Sequence, residues 1–441
     1  MKERLNSRTM LPVFLMEPAA AEKTRRHSRL LMDMRGGGAP PLDEIKERIK
    51  KLRHQAVAQQ DELISGLTAC LSDNPDVEVA LAEDAEQAVQ MIQGITTTRQ
   101  VAINKSSVVA KELVPELTRA GYQVIETYGE EYPAGEPRFQ DYWQLPTIDP
   151  TIPFESVSLS RRFSDSREKS VRQFGSKDFT GLLGVNAVSA QDGSILLLQH
   201  TNNIREIFTQ ARKVIFVAGL DKIVRDFEEA VFQTRCMAAF GFKNVLLQFS
   251  VKHGNGESIQ ERPFAISPER TTKPIHLILL DNGRRTLRSS RYQELLACIG
   301  CRACGAECPI SQFIDKPGAW TPREYAFFLA LGREINADLC LQCLTCRTNC
   351  PLDIDLPGLI LEARTDSLWR KKSSLTDTLL ANPDIFERWG TSAFPFMATL
   401  LNNRLIRLLG EKMFDISRQR RFPSIKRMTF ARWFRSHAPR P

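Results

Sequence analysis

The feature that most constrains this chain is a duplicated cysteine motif. Eight of the ten cysteines fall into two runs of the spacing C-x-x-C-x-x-C-x-x-x-C-P, from Cys298 to Pro309 and from Cys340 to Pro351. Three thiolates on one tight loop can reach three irons of one 4Fe–4S cube. The fourth, set off by three residues and a proline, ligates the other cube. A structural zinc site needs only four ligands, typically in two pairs. The spacing therefore predicts two 4Fe–4S clusters.

The offset fourth cysteine predicts crossed ligand sets. Set one, expected to hold cluster one, consists of Cys298, Cys301, Cys304 and Cys350. Set two, expected to hold cluster two, consists of Cys308, Cys340, Cys343 and Cys346. Cys70 and Cys236 each stand alone in an apolar helical pattern, which predicts inert buried thiols. Two adjacent one-electron carriers conduct electrons and perform no substrate chemistry of their own.

The residues around the cysteines indicate helices. Thr321 is positioned as an N-cap, with Pro322 at the first helical position and Glu324 as its capping-box partner. A second helix is predicted from Leu356 onward. Helices flanking cysteine loops indicate an α-helical two-cluster ferredoxin domain, which we place over residues 291–370.

Residues 42–290 alternate between helical and strand patterns. A helix is predicted over residues 41–69, and a polar stretch over residues 133–176 is a candidate insertion. The predicted strands are short and apolar: Val77–Ala82, Gln100–Ser106, Gln123–Tyr128, Ser194–Gln199, Lys213–Gly219 and Ile275–Gly283. Apolar strands between helices predict a mostly parallel sheet covered on both faces, and hence an α/β domain.

A ligand site in this α/β domain is predicted only weakly. Neither a G-x-G-x-x-G fingerprint after a strand nor a phosphate-binding P-loop is present, and we assign no catalytic residue. Parallel sheets bind ligands at the carboxyl edge. Six polar residues near predicted strand ends could bind a small anion there, although each alone could equally be a turn or surface residue: Lys105, Asn186, Asp192, Ser194, Asn203 and Lys222.

The two termini differ in character from the rest of the chain. Residues 1–41 are predicted to be disordered, because they carry arginine-rich and Gly/Pro-rich runs with little to bury. The apolar stretch Leu11–Ala21 is interrupted by Glu17 and Pro18, so it is not expected to be a signal peptide. A cytoplasmic location, with thiols rather than disulfides, is the resulting expectation.

The C-terminal region, residues 371–441, is predicted to be a helical basic tail. Residues 401–441 hold 11 Lys/Arg and 2 Asp/Glu, so a net +9 lies there and the remaining chain is close to neutral. Such a tail could be solvated, could dock on an acidic partner subunit or, less favoured, could contact a membrane surface. No nucleic-acid motif accompanies the charge, so no nucleic-acid partner is expected.

Residues 75–290 resemble the LUD domain, a family named for lactate-utilisation proteins. The resemblance lies in NKSSV (104–108), IETYGEEY (125–132), GVNAVSAQDGSILLLQHTNNIREI (184–207), VIFVAGLDKIV (214–224) and LLDNGRR (279–285). LDNGR shortly before CIGCRAC is similar to the junction in iron–sulfur LUD subunits of the lactate utilisation protein B type. The resemblance implies a sheet related to the NagB/ribose-5-phosphate isomerase/CoA-transferase fold. It also implies an electron-transfer subunit of a cytoplasmic complex that oxidises L-lactate or a similar 2-hydroxy acid.

Other electron-transfer and non-electron-transfer functions stay open at this point. The segment ISQFIDKPGAW (310–320) and the tail are more similar to heterodisulfide-reductase-type subunits, and the tail resembles a linker that precedes a cysteine-rich CCG domain. The resemblance therefore implies a CCG-domain subunit, a flavin oxidase subunit, or both, as partners. A LUD-domain enzyme acting on a nucleotide or acyl ligand, and a scaffold with structural clusters, are the remaining alternatives.

Overall fold

The computed structural model describes the chain over residues 13–18, 42–72, 74–127, 178–198, 203–241, 264–269, 273–306, 308–313, 320–333, 335, 339–370, 402–414, 417–419 and 430–437. The candidate insertion at residues 133–176 lies outside these ranges.

Eleven strands lie in the described residues. In chain order they are β1 (Val13–Pro18), β2 (Val77–Ala82), β3 (Gln100–Ile103), β4 (Gln123–Glu126), β5 (Thr180–Gly184), β6 (Ala187–Ser189), β7 (Ile195–Leu198), β8 (Lys213–Gly219), β9 (Ile223–Val224), β10 (Phe264–Glu269) and β11 (Ile275–Leu280).

The described α-helices are α1 (Leu42–Ala58), α2 (Gln60–Ser72), α3 (Ala85–Ile95), α4 (Val114–Arg119), α5 (Asn203–Gln210), α6 (Phe227–Gly241), α7 (Arg284–Arg288), α8 (Ala303–Ala306), α9 (Pro309–Phe313), α10 (Pro322–Ala330), α11 (Thr345–Thr348), α12 (Leu356–Arg370), α13 (Arg404–Phe414) and α14 (Phe430–His437). A π-helical stretch, Val108–Leu113, leads into α4, and 3₁₀ turns occupy Leu220–Lys222 and Gln293–Ala297.

A six-stranded parallel sheet forms the centre of the α/β region, in the order β2-β11-β8-β5-β3-β4. Alternate residues of β11 face opposite cores: Leu277 and Leu279 join one buried cluster, and Ile278 and Leu280 join the other. The sheet is therefore apolar on both faces, as parallel sheets covered by helices are. This confirms the predicted α/β class.

The six strands predicted from apolar runs all exist, with β2 and β8 at the predicted bounds. β5 was missed, because its sequence TGLLG is short and holds two glycines. Gly184 is required there, since a Cβ at this position would lie about 2.0 Å from the Ser106 hydroxyl oxygen. Close packing of a neighbouring side chain against the strand can thus require a glycine and weaken the apolar signal of a buried strand.

A second, five-stranded sheet has the order β10-β1-β7-β6-β9 and corrects the prediction for the N-terminus. β1 lies in a segment predicted to be disordered, yet it pairs in parallel with β7 and antiparallel with β10. Val13 is buried, and the Phe14 ring lies 4.7 Å from that of Phe227. The prediction treated the segment as isolated, whereas its hydrogen-bonding partners lie about 180 and 250 residues away in the chain.

The chain divides into two compact units. Residues 1–363 form one compact unit, and its main core runs continuously from Val13 to Ala363. The α/β region and the cysteine region thus share a core, and the domain boundary at residue 290 stays a prediction. Residues 364–441 form a second unit, in which α13 and α14 are the helices that lie wholly within the described part.

Candidate iron–sulfur site

The backbone around the cysteines repeats one local conformation. Gly300 and Arg302 in the first motif have positive φ angles, and Gln342 and Leu344 in the second do so as well. These residues are the second and fourth after the first cysteine of each motif. Residues with positive φ at alternate positions bend the chain sharply. This conformation costs free energy when the residue is not glycine. Both motifs thus use the same bent loop to present their thiols.

A small cleft collects the thiols of set one. Its lining includes all four residues of the set, Cys298, Cys301, Cys304 and Cys350, together with residues of the α/β region. Burial, and after it the charge of Cys298, raises the pKa of Cys304 well above the usual range and that of Cys350 to about 11. The cleft has a volume of about 70 Å³.

The thiols of set two form a separate group. Burial, followed by the charges of Cys340, Cys308 and Cys343, raises the pKa of Cys346 to about 12. Cys343 itself is exposed, and its hydrogen bond with Thr345 lowers its pKa. Each fourth cysteine therefore lies with the three thiols of the other motif, which is the arrangement that crossed ligation requires.

The donor chemistry of both sets fits a 4Fe–4S cube. Four cysteines are the usual ligands of such a cluster, and each binds its own iron. In the described part of the chain, no three cysteine, histidine or carboxylate side chains lie close enough to hold a single metal ion. Hydrogen bonds already reach the sulfurs, because the Gly300 amide lies 3.3 Å from Cys298 Sγ and Gln342 Nε2 lies 3.6 Å from Cys340 Sγ.

The two other cysteines differ from each other. Cys236 is buried, and burial raises the pKa of its thiol to about 12, as expected for an inert thiol. Cys70 is exposed, so its prediction as a buried thiol is wrong. Cys70 lies on α2. The apolar pattern of the neighbouring residues did not indicate whether position 70 lies on the buried or the exposed face of this helix.

Three of the six predicted ligand-site residues line the cleft of set one: Lys105, Asn186 and Lys222. Lys222 Nζ lies 2.8 Å from an Asp221 carboxylate oxygen and donates to the Cys298 carbonyl at 3.2 Å. Burial, and after it the charge of Arg302, lowers the pKa of Lys105 to about 7. These lysines thus lie beside the predicted cluster.

In the described part of the chain, the other three predicted residues do not line the cleft of set one with Lys105, Asn186 and Lys222. Asp192 and Ser194 close the turn between β6 and β7, where the Asp192 carboxylate accepts hydrogen bonds from the Ser194 amide at 3.1 Å and its hydroxyl at 2.8 Å. Asn203 is the first residue of α5, and its side chain lies outside the described part. The contacts of Asp192 and Ser194 are those of a turn.

Residues that were not predicted as site residues join the α/β region to the cysteine region. Ser107 donates a hydrogen bond to the Glu324 carboxylate, and Arg302 lies 3.7 Å from the same group. Burial alone would raise the pKa of Glu324, but Arg302 and the Ser107 hydrogen bond lower it. The capping box between Thr321 and Glu324 is confirmed. The sequence showed Glu324 only in this local role.

A buried ion-pair network lies beneath the cleft. The guanidinium group of Arg284 is fully buried and donates to Glu112 at 2.8 and 2.9 Å and to Asp221. Although burial alone would raise the pKa of Asp221, the charges of Lys222, Arg284 and Arg323 hold it well below its usual range. Arg284 follows β11 and belongs to the LDNGR segment. This segment therefore provides the central cation of the network.

Comparisons with known proteins agree with this architecture. Residues 71–258 match the LUD domain, and residues 294–354 match a 4Fe-4S dicluster domain. These two matches confirm the resemblance inferred from the sequence, a LUD domain followed by a 4Fe-4S dicluster domain.

Curated relatives extend the similarity beyond either domain alone. Lactate utilization protein B of Shouchella clausii is 26% identical over 72% of this chain and 72% of its own length. The protein of that name from Geobacillus kaustophilus is 25% identical over 81% of each chain. The "Uncharacterized electron transport protein YkgF" of Escherichia coli is 25% identical over 73% of this chain and 71% of its own.

No solved structure matches the chain. Among the described residues, no helix has the length and apolar character needed to cross a membrane.

Proposed function

We propose that this protein is the electron-transfer subunit of a cytoplasmic complex that oxidises L-lactate or a related 2-hydroxy acid, and that it carries two 4Fe–4S clusters. The observation that supports the proposal is that Cys350 of the second motif lines a cleft with three cysteines of the first motif and with residues of the LUD domain. When bound, such clusters accept and donate single electrons.

The chain's own residues hold and shield these groups. In set one, Cys304 and Cys350 are buried, and the Gly300 amide donates a hydrogen bond to the Cys298 sulfur. Set two presents Cys343 at the surface. Leu341 and Leu344 beside it are 64% and 52% exposed. Set two is therefore better placed than set one for electron exchange with another protein.

The substrate class is proposed from the relatives. Two of them are named for lactate utilization, and a third for electron transport. Under this proposal a partner subunit, such as a flavin oxidase, oxidises the substrate, and this chain receives the electrons.

The C-terminal unit is proposed to dock on that partner or on a CCG-domain subunit. On α13, Leu405 is 70% exposed and Leu409 is 55% exposed, while Arg404 and Lys412 add positive charge. An exposed apolar helix face rimmed by charge is typical of a protein–protein contact. A membrane surface could attract the same residues.

Purification of the native complex tests the functional proposal. The tagged chain would be isolated anaerobically with its partners and assayed with a panel of 2-hydroxy acids and a dye acceptor. We expect oxidation of one 2-hydroxy acid, together with bleaching of the iron–sulfur absorbance when that substrate is added without dye. Cluster reduction by a dithiol but by no 2-hydroxy acid would instead favour a heterodisulfide-reductase-like complex.

Truncation after Trp369 tests the docking proposal separately. We expect the truncated protein to retain its iron while losing its co-purifying partner. Retention of the partner, combined with loss of the full-length chain's membrane association, would contradict docking and identify the tail as a membrane anchor.

A further inference from the structure

Arg323 is a buried cation whose guanidinium group makes fewer hydrogen bonds than is usual for a buried arginine. The residue is only 8% exposed, yet its Nε and one terminal nitrogen make no hydrogen bond within the described residues. Its terminal nitrogen lies 3.7 Å from an Asp221 carboxylate oxygen, beyond hydrogen-bonding distance, and its guanidinium group stacks over Phe327 at 4.5 Å. Buried guanidinium donors are normally satisfied, so these two need an acceptor.

The position of Arg323 indicates what that acceptor is. Arg323 lines the same cleft as the four cysteines of set one. Its backbone amide hydrogen-bonds Cys304, one of those cysteines. A 4Fe–4S cluster held by these thiolates would supply the sulfur acceptors that the guanidinium group lacks.

The surrounding charges leave this site with an excess of positive charge. Glu112 and Asp221 are the two carboxylates of the buried network, and Arg284, Lys222 and Arg323 are its three cations. Arg284 is held by direct hydrogen bonds to both carboxylates, and Lys222 by a 2.8 Å contact with Asp221. Arg323 has the weakest of these ion pairs, so its charge is the least neutralised.

We infer that Arg323 raises the reduction potential of cluster one and thereby offsets the effect of burying it. Reduction adds a negative charge to a cluster that is already anionic, and burial disfavours that charge. Net charge and hydrogen bonds to the sulfurs are the levers that set such a potential. Arginine suits this role because it stays protonated at any physiological pH. The inference rests on the proposed two-cluster assignment.

Set two lacks a comparable buried cation in the described residues. Arg347, which directly follows Cys346 in the sequence, is the cation in its loop, and it pairs at 3.3 Å with Asp355. Their side chains are 56% and 42% exposed. Water and salt screen such charges strongly. Arg347 therefore serves as a matched control.

The test is a potentiometric titration of the full-length, cluster-loaded protein, followed by electron paramagnetic resonance. The Cys308→Ser variant identifies which signal belongs to cluster two. We expect Arg323→Gln to lower the reduced-to-oxidised ratio of cluster one about tenfold at a fixed potential, equivalent to about 59 mV for one electron. Arg323→Lys should retain most of the wild-type ratio, and Arg347→Gln should leave both clusters within about twofold.

Several results would overturn the inference. An unchanged reduction potential of cluster one in Arg323→Gln at full iron content would overturn it. An equal shift in the reduction potentials of both clusters would overturn it as well. Loss of cluster-one iron in both Arg323 variants would mean that the side chain supports folding alone. A wild-type protein with iron for fewer than two clusters would instead refute the proposed function, so the two failures are distinguishable.

Discussion

Replacing Arg284 with methionine should strongly destabilise the first compact unit. The guanidinium group is fully buried and is the hub of four hydrogen bonds, which reach Glu112, Asp221 and the Asp281 carbonyl. Methionine carries no charge, so Glu112 would remain buried without its counter-ion Arg284, and Asp221 would keep Lys222 but lose one of its buried cations. Breaking a buried pair in this way costs about 3–5 kcal/mol, a large share of the roughly 5–15 kcal/mol that stabilises a typical protein.

Arg288→Met is the matched control for this experiment. Arg288 lies in the same helix, α7, and also pairs with a carboxylate, Asp61. That pair is exposed to solvent, since the Asp61 side chain is 62% exposed. Surface ion pairs contribute about 0–1 kcal/mol, so this variant should differ little from wild type.

The free energy of unfolding would be measured by urea denaturation under anaerobic conditions, with tryptophan fluorescence and cluster absorbance as probes. Adding Glu112→Gln to Arg284→Met should recover part of the loss, because it removes one uncompensated buried charge. Similar losses for Arg284→Met and Arg288→Met would refute the reasoning, as would a double variant less stable than either single variant.

Three further predictions concern the clusters, the N-terminal strand and a buried lysine. Cys308→Ser should remove the cluster-two signal and about half of the roughly eight irons, whereas Cys70→Ser should leave the iron unchanged; loss of cluster one instead would contradict crossed ligation. Deleting residues 2–18 should lower the thermal midpoint, because β7 and β10 lose their shared partner, while deleting residues 2–11 should change it little; equal midpoints would contradict a structural role for β1. Burial lowers the pKa of Lys105 to about 7 from its usual 10.5, so the unfolded chain binds more protons between these values and stability should rise with pH; Lys105→Met should flatten that rise in a pH series of urea midpoints.

Much of the iron–sulfur site could be predicted from the sequence because its ligands are local. A C-x-x-C-x-x-C loop places three thiols within a few residues, so spacing alone indicates the cluster type. The capping box at Thr321 and Glu324 has the same local character, because both hydrogen bonds join residues three positions apart. The strand β8 was predictable at its full length because a continuous apolar run between helices requires burial on both faces.

What only the tertiary structure decided depends on contacts between residues far apart in the chain. The strand β1 looks too short and isolated to fold until β7 and β10 supply its hydrogen bonds. Six polar residues at strand ends looked equivalent, but Lys105, Asn186 and Lys222 face the cleft of set one, while Asp192 and Ser194 bond to each other.

Arg323 illustrates the same limit most clearly. In the sequence it is an ordinary arginine in the first turn of a helix, where a cation has no obvious function. Packing buries it beside Asp221, which lies about 100 residues earlier, and leaves two of its donors directed to no described acceptor. Residue spacing determines which ligands a loop can offer. The surroundings of those ligands are determined by burial, which arises only when the α/β and cysteine regions pack on one core.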